Sequence, residues 1–356
     1  MSFNSFCNSS LNSKHASGQQ ISIATVSDFH VHLRQGDMLK AVVPTIIEGG
    51  VDTVLVMPNL IPPLINTQQV IQYRTQISEL NPNLSLLMTI YLNPQLNREK
   101  ILEASAAGIV GVKMYPLGVT TNSQFGVDNL ECYKEVFKAM EDVDMVLNLH
   151  GECPSDPTNN ICVLNAEEKF LTTLKWLHAE FPKLRIVLEH VTSDAAVECV
   201  KGLGDTVACT ITAHHLLLTI DDWAGHPHNY CHPRFFLGSD SAPHLQAAKE
   251  SDKPAAGVFT SPILLPLMAS IFDHLDCFDN LENFCTNFGR KFYKLAPQEN
   301  KIVIEKSAMK IPKFYTANLS DQSQNNTGNS SNPEIQKSQC VIPFMNDTEL
   351  PWKIVN

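Results

Sequence analysis

The sequence is most informative first in what it lacks. No apolar run approaches the roughly 20 residues of a membrane span; IVGV at 109–112 and SPILLPLM at 261–268 are among the longest. There is no excess of positive charge. The 26 basic and 37 acidic residues give −11, which argues against nucleic acid or an anionic membrane as partner. Any anionic ligand must therefore find local positive charge. The ten cysteines, spread from Cys7 to Cys340, include no CxxC pair, a usage that fits free buried thiols better than a disulfide framework. Residues 1–20 are rich in Ser and Asn and contain neither an apolar signal core nor arginine, so they are expected to form a flexible leader on a cytoplasmic protein. No GxGxxG follows the first apolar run, which removes the main support for a dinucleotide-binding sheet.

What the sequence does contain is alternation. Apolar runs at 22–29, 51–57, 84–91, 109–114, 145–149, 184–189, 206–212 and 235–239 are separated by stretches of helical period. Tyr133, Val136, Phe137 and Met140 fall on one stripe, as do Phe170, Leu174 and Leu177 with Leu171 beside them. Thr67 is expected to cap a helix carrying Val70, Tyr73, Ile77 and Leu80. Eight apolar strands alternating with amphipathic helices predict an α/β fold, a (β/α)8 TIM-type barrel over residues 21–300. Residues 301–356 form a C-terminal extension. Within it 318–338, rich in Ser, Asn and Gln, are expected to be flexible, and VIPFMNDTELPWKIV to return to the barrel as a strand or hairpin.

In such a barrel the chemistry sits at the C-terminal strand ends. The first strand closes in SDFHVHLR, so His30 and His32, two residues apart, project the same way and can chelate one divalent ion. LNLHGE places His150 at a second strand end, and RIVLEH places His190 at a third. GIVGVKMYP buries Lys113 at a fourth, and FFLGSDSAPH brings Asp240, then His244, after the last strand. Taken singly, each has a structural explanation: a lysine that snorkels, a histidine that caps. Four histidines, a lysine and an aspartate on one rim are harder to place by chance. His214 and His215 also end a strand, but are read as mainly structural.

These residues resemble the amidohydrolase superfamily. More narrowly, DFHVHLRQGDML, VMPNLIPP, VKMYPLGVTTNSQFGV, LNLHGE, LEHVTS, TITAHHL and GSDSAPH look like the short, homodimeric dihydroorotases, over about residues 26–295. The resemblance implies two Zn2+ per subunit, one on His30, His32 and Asp240, the other on His150 and His190. Lys113 would bridge them as a carbamate, which offers two anionic oxygens where an amine offers one nitrogen. It further implies that Arg34, Asn59, His232, His244 and Ala256 bind a small carboxylate-bearing substrate. Thr120 and Thr121 would sit on a lid loop, and Asp240 would carry the catalytic proton. A hydantoinase or allantoinase would use the same metal set without the carboxylate-binding one, and an inactive scaffold of the same fold would be expected to lose metal ligands. This sequence departs from the resemblance after Pro233, where related enzymes have a longer segment with a helix. Residues 216–234 contain Gly225, Pro227 and Pro233 and show no amphipathic period, so the barrel is expected to lack the helix between strands seven and eight.

Overall fold

The computed structural model describes residues 13–119, 123–217, 234–252, 254–317 and 339–355. Strand β1 (Gln20–Ala24) precedes an eight-stranded parallel sheet whose spatial order follows the chain. Its strands are β2 (Val26–Val31), β3 (Val51–Val56), β4 (Ser85–Tyr91), β5 (Ile109–Met114), β6 (Val146–His150), β7 (Ile186–Glu189), β8 (Val207–Ile211) and β9 (Phe235–Leu237). The ends of this sheet meet. Asp240 N donates to His30 O at 3.0 Å, and His32 N donates to Ser241 O at 3.0 Å, so the barrel closes next to its first histidines.

The strands are apolar and rich in β-branched residues because both of their faces are covered. One cluster fills the space between strands and outer helices, and a second, with Phe29, Leu55, Val187, Phe236 and Tyr293, is built from strand residues and the segment at Phe292 and Tyr293. Outer helices span Gly36–Glu48, Thr67–Leu80, Arg98–Ala106, Lys134–Asp142, Ala166–Glu180 and Asp194–Gly202. Val136, Phe137 and Met140 are buried on one of these, and Phe170, Leu171, Leu174 and Leu177 on another. Tyr133 is buried in the short 3-10 turn that precedes the first of them.

Three sequence readings need correction. The run 22–29 is two strands: β1 pairs antiparallel with β10 (Lys301–Glu305), and only β2 enters the barrel. The helix at Thr67 is capped by Asn66, whose side chain accepts from Gln69 N, with Thr67 as its first residue; Leu80 is exposed while Val70, Tyr73 and Ile77 are buried. Residues 13–20 of the leader are packed on the body: Ser13 and His15 bind Asp273, and Gly18 N donates to Lys306 O. The closing segment does return. Lys353–Val355 pairs with β10, and Trp352 is fully buried.

The short crossover between β8 and β9 begins with a helix at Ala213–Leu217; the rest of it, 218–233, lies outside the described residues, as does 318–338.

Candidate active site

A cavity of about 70 Å3 opens at the C-terminal rim, lined by His30, His32, Arg34, Asn59, Tyr115, His150, His190, Asp240, Ala242, Ala256 and Gly257. His30 reaches it through a slip in register. Between Asp28 and Val31 strand β2 advances three residues while β3 advances two, from Val54 to Val56. Such a bulge re-aims side chains. Phe29 packs into the apolar interior and its neighbour His30 faces the polar cavity. Asp28 holds this seam, accepting from His30 N at 3.1 Å, Ser239 N at 2.8 Å and Ser239 Oγ at 2.5 Å. Gly238 leaves the room, since a Cβ there would stand 2.8 Å from Thr210 Cβ and 3.0 Å from His30 Cβ. Arg34, His190 and Asp240 adopt left-handed backbone conformations, with φ of 61°, 44° and 47°. Each is pinned: Tyr73 OH donates to Arg34 O, His190 N donates to Thr210 Oγ1, and Asp240 N to His30 O.

The polar atoms converge in a way that calls for a cation. His32 Nδ1 lies 2.7 Å from Asn59 Oδ1. An amide oxygen only accepts, so Nδ1 carries the proton and Nε2 the lone pair. That Nε2 faces Asp240 Oδ1 at 3.0 Å and His30 Nε2 at 3.3 Å, and His30 Nε2 is 3.4 Å from the same carboxylate oxygen. Burial pulls His30 and His190 well below the ordinary histidine value and His32 below it, so the rings are neutral. Burial works to raise Asp240, but its carboxyl is held well below the usual range by His30 and, through a hydrogen bond, His32 whenever a proton resides on either ring. Neutral imidazoles and an ionised carboxylate facing one another are a divalent-metal donor set. His30, Glu189 and His190 form a second group, with ligand atoms within 4.8 Å of one another.

Lys113 is fully buried, and its ammonium pairs with Glu189. Burial pushes its amine down to about 7, Asp240 opposing; Glu189 also favours the charged form. Glu189 Oε2 stands 3.3 Å from His30 Nδ1 without a hydrogen bond, and Glu189 Oε1 has no partner among the described residues. Arg34 Nε donates to Pro243 O at 2.9 Å and Arg34 Nη2 reaches His244 Nε2 at 2.9 Å, so guanidinium and imidazole form one unit. Burial, then Arg34, lowers His244 to about 4.

The structure therefore gathers His30, His32, Arg34, Asn59, His150, His190, Asp240 and Ala256 around one cavity, with Lys113 behind them and His244 joined through Arg34. His150 stands apart in one respect: its Nε2 is engaged by Glu152 Oε2 at 2.6 Å, and it joins neither donor group. His214 and His215 do not line the cavity. Thr120, Thr121 and His232 lie outside the described residues. Sequence reasoning missed Glu189 and Tyr115. Glu189 had a signal, a carboxylate inside the apolar strand RIVLEH; Tyr115, in KMYP, had none.

No family model matches the chain. A dihydroorotase of Mycosarcoma maydis is 42% identical over 95% of this chain and 99% of its own. A probable dihydroorotase of Schizosaccharomyces pombe is 46% identical over 84% and 95%. The chain belongs to the dihydroorotase family. The crystal structure of the Saccharomyces cerevisiae dihydroorotase in complex with 5-fluoroorotic acid superposes with a TM-score of 0.83 at 38% identity, over 95% of this chain and 98% of that one. Dihydroorotases are metal-dependent cyclic amidohydrolases, which agrees with a cavity built from histidines and carboxylates. The Mycosarcoma match runs over 397 residues while using 95% of a 356-residue chain, so this dihydroorotase has residues at positions where the present chain has none.

Proposed function

We propose that this member of the dihydroorotase family catalyses the reversible cyclisation of N-carbamoyl-L-aspartate to (S)-dihydroorotate in de novo pyrimidine (UMP) biosynthesis. One observation carries the reading: three cation-seeking atoms, His30 Nε2, His32 Nε2 and Asp240 Oδ1, share a cavity with Arg34, whose guanidinium is paired with His244. A candidate metal site would thus adjoin a fork for carboxylate. In this reading His30, His32 and Asp240 would hold one ion and His150 and His190 another, with carbamylated Lys113 as the ligand the two would share. The donor set suits zinc first, with manganese or cobalt as substitutes. Bound there, such ions draw the pKa of water toward about 7 and polarise an acyl oxygen.

The chain's own residues supply the rest. The lowered pKa of Lys113 leaves part of its amine neutral near pH 7, the form that adds carbon dioxide. Asn59 fixes the tautomer of His32. Arg34 grips the carboxylate common to both substrates with its planar fork, His244 beside it. Ala256 contributes a backbone contact to the ring. Asp240, ionised in the resting protein, takes a proton from attacking water and delivers it to the leaving amide nitrogen in ring opening; closure runs the transfer backward. His232, as a substrate contact, and Thr120 and Thr121, as lid-loop residues, take their roles from the family alone. The same reading takes the protein as a cytoplasmic homodimer, with a barrel at 21–300 and an extension at 301–356.

The purified chain, assayed for carbamoyl aspartate closure with metal quantified in the same sample, tests the proposal. Turnover with bound divalent metal is expected. Metal-loaded protein that closes no ring sinks it.

A further inference from the structure

Tyr115 is 2% exposed and lines the cavity, yet its hydroxyl has no hydrogen-bond partner among the described residues. A buried hydroxyl left unpaired costs stability, whereas the same ring without it would not. The ring itself is well accounted for. It stacks on Tyr91 with centroids 5.1 Å apart and lies under Lys113 Nζ at 4.8 Å. Its backbone is fixed as well: Val127 N donates to Tyr115 O at 2.8 Å, and a Cβ on Gly126 would come within 2.6 Å of that oxygen. Phenylalanine would meet all of these packing demands. The hydroxyl is what remains to be explained.

We propose that Tyr115 Oη donates a hydrogen bond to an oxygen of the substrate's reacting acyl group, which makes Tyr115 a further substrate-binding residue. The inference rests on the activity proposed above. Position selects the acyl group over the carboxylate that both substrates share. Tyr115 follows Lys113 by two residues at the same strand end, and its ring centre is 6.3 Å from that of His150. The shared carboxylate already has Arg34 and His244, which are tied to each other and to Pro243. In carbamoyl aspartate the reacting group is an ionised carboxylate; in dihydroorotate it is a neutral ring carbonyl. A phenol binds the charged acceptor more strongly. Tyr115 therefore favours the open substrate over the closed one.

The test is Tyr115→Phe, measured in both directions beside the wild type, together with metal content and melting temperature of the unliganded protein. KM for carbamoyl aspartate should rise about tenfold or more, the worth of a hydrogen bond to a charged group, and KM for dihydroorotate should rise less. The fixed overall equilibrium requires kcat/KM to fall by one common factor in both directions. Metal content should not change, and the melting temperature should hold or rise, because an unpaired buried group has been removed. A purely structural hydroxyl would instead lower the melting temperature and leave the two KM values in their wild-type ratio. That outcome, or unchanged kinetics, overturns the assignment while the wild type still turns over. A wild type without turnover overturns the functional reading, and this inference with it.

Discussion

Two buried carboxylates show how differently this protein treats its two polar centres. Asp273, on the helix Leu264–His274, is saturated: Ser13 Oγ lies 2.7 Å from one of its oxygens, His15 Nδ1 is at 2.8 Å, Trp352 Nε1 donates at 3.0 Å, and the Lys306 ammonium completes the set. It ties the leader, β10 and the C-terminal strand region to one helix. Glu189, on the rim, has Lys113 on one oxygen and, among the described residues, nothing on the other, beside His30 Nδ1, which is likewise unpartnered. A centre whose task is to hold the chain together pairs every buried polar atom, because each unpaired one costs about 1–3 kcal/mol. The rim leaves buried polar atoms unpaired among the described residues, a cost that persists at sites that await a ligand. Substitutions at the rim should therefore change chemistry with little loss of stability, and substitutions at Asp273 the reverse.

The largest effect is expected at Lys113. Lys113→Ala removes the amine proposed to bridge the two ions as a carbamate and should lower turnover by at least about a thousandfold, with metal content falling in parallel. Short carboxylic acids in the buffer should restore part of both. Wild-type metal and rate in this variant would exclude the bridging role. Arg34→Lys comes next. It keeps the charge but loses the fork and the Nη2 contact to His244. KM should rise about tenfold to a hundredfold, the range for a charge-assisted hydrogen bond, with metal intact. If metal is lost instead, Arg34 belongs to the scaffold.

How much of this was legible in the sequence follows the same division. The barrel was readable because a strand buried on both faces writes itself as a continuous apolar run, and eight such runs leave few architectures. The rim residues were readable because ligand-type side chains stand out at the ends of those runs. What escaped depends on pairing between distant segments. Nothing local in VSDFHV announces that β2 slips a residue against β3, yet that slip separates Phe29 from His30. Nothing local divides 22–29 into two strands, since the partner that captures β1 is β10, nearly 280 residues on. Asn66 took the cap expected of Thr67 because either side chain can cap a helix, and only the local backbone decides. The unpaired Tyr115 hydroxyl is invisible until its surroundings are known.

The third effect, about tenfold per pH unit, concerns the reaction rather than a residue. Carbamoyl aspartate has one more ionised carboxylate than dihydroorotate, so closure takes up one proton, and the equilibrium ratio of closed to open forms should fall about tenfold for each unit of rising pH. Measured at equilibrium from both sides between roughly pH 6 and pH 8, where the carboxylates stay ionised, a ratio independent of pH would rule out this substrate pair.

The smallest effect should come from Asp273→Asn, and it should be opposite in kind. Burial alone would raise this carboxyl, but Lys306, His15, Ser13 and Trp352 hold it at about 2, below its ordinary value of 3.8. A carboxyl depressed in the folded state stabilises the fold fully above its unfolded value, and that contribution disappears as pH falls through the folded one. The shift corresponds to about 2 kcal/mol at neutral pH, a few degrees in melting temperature for a chain of this size. Asparagine keeps the shape and can still accept from Ser13 and Trp352, but it cannot neutralise the Lys306 ammonium. The stability gap between wild type and variant should be widest near pH 7 and close as pH approaches 2, while KM and kcat of the folded variant stay at wild-type values, since Asp273 does not line the cavity. A gap that is constant with pH would mean that packing, not charge, holds the termini to this helix. A change in KM would mean that the two centres are coupled through the barrel, and the division between them would fail.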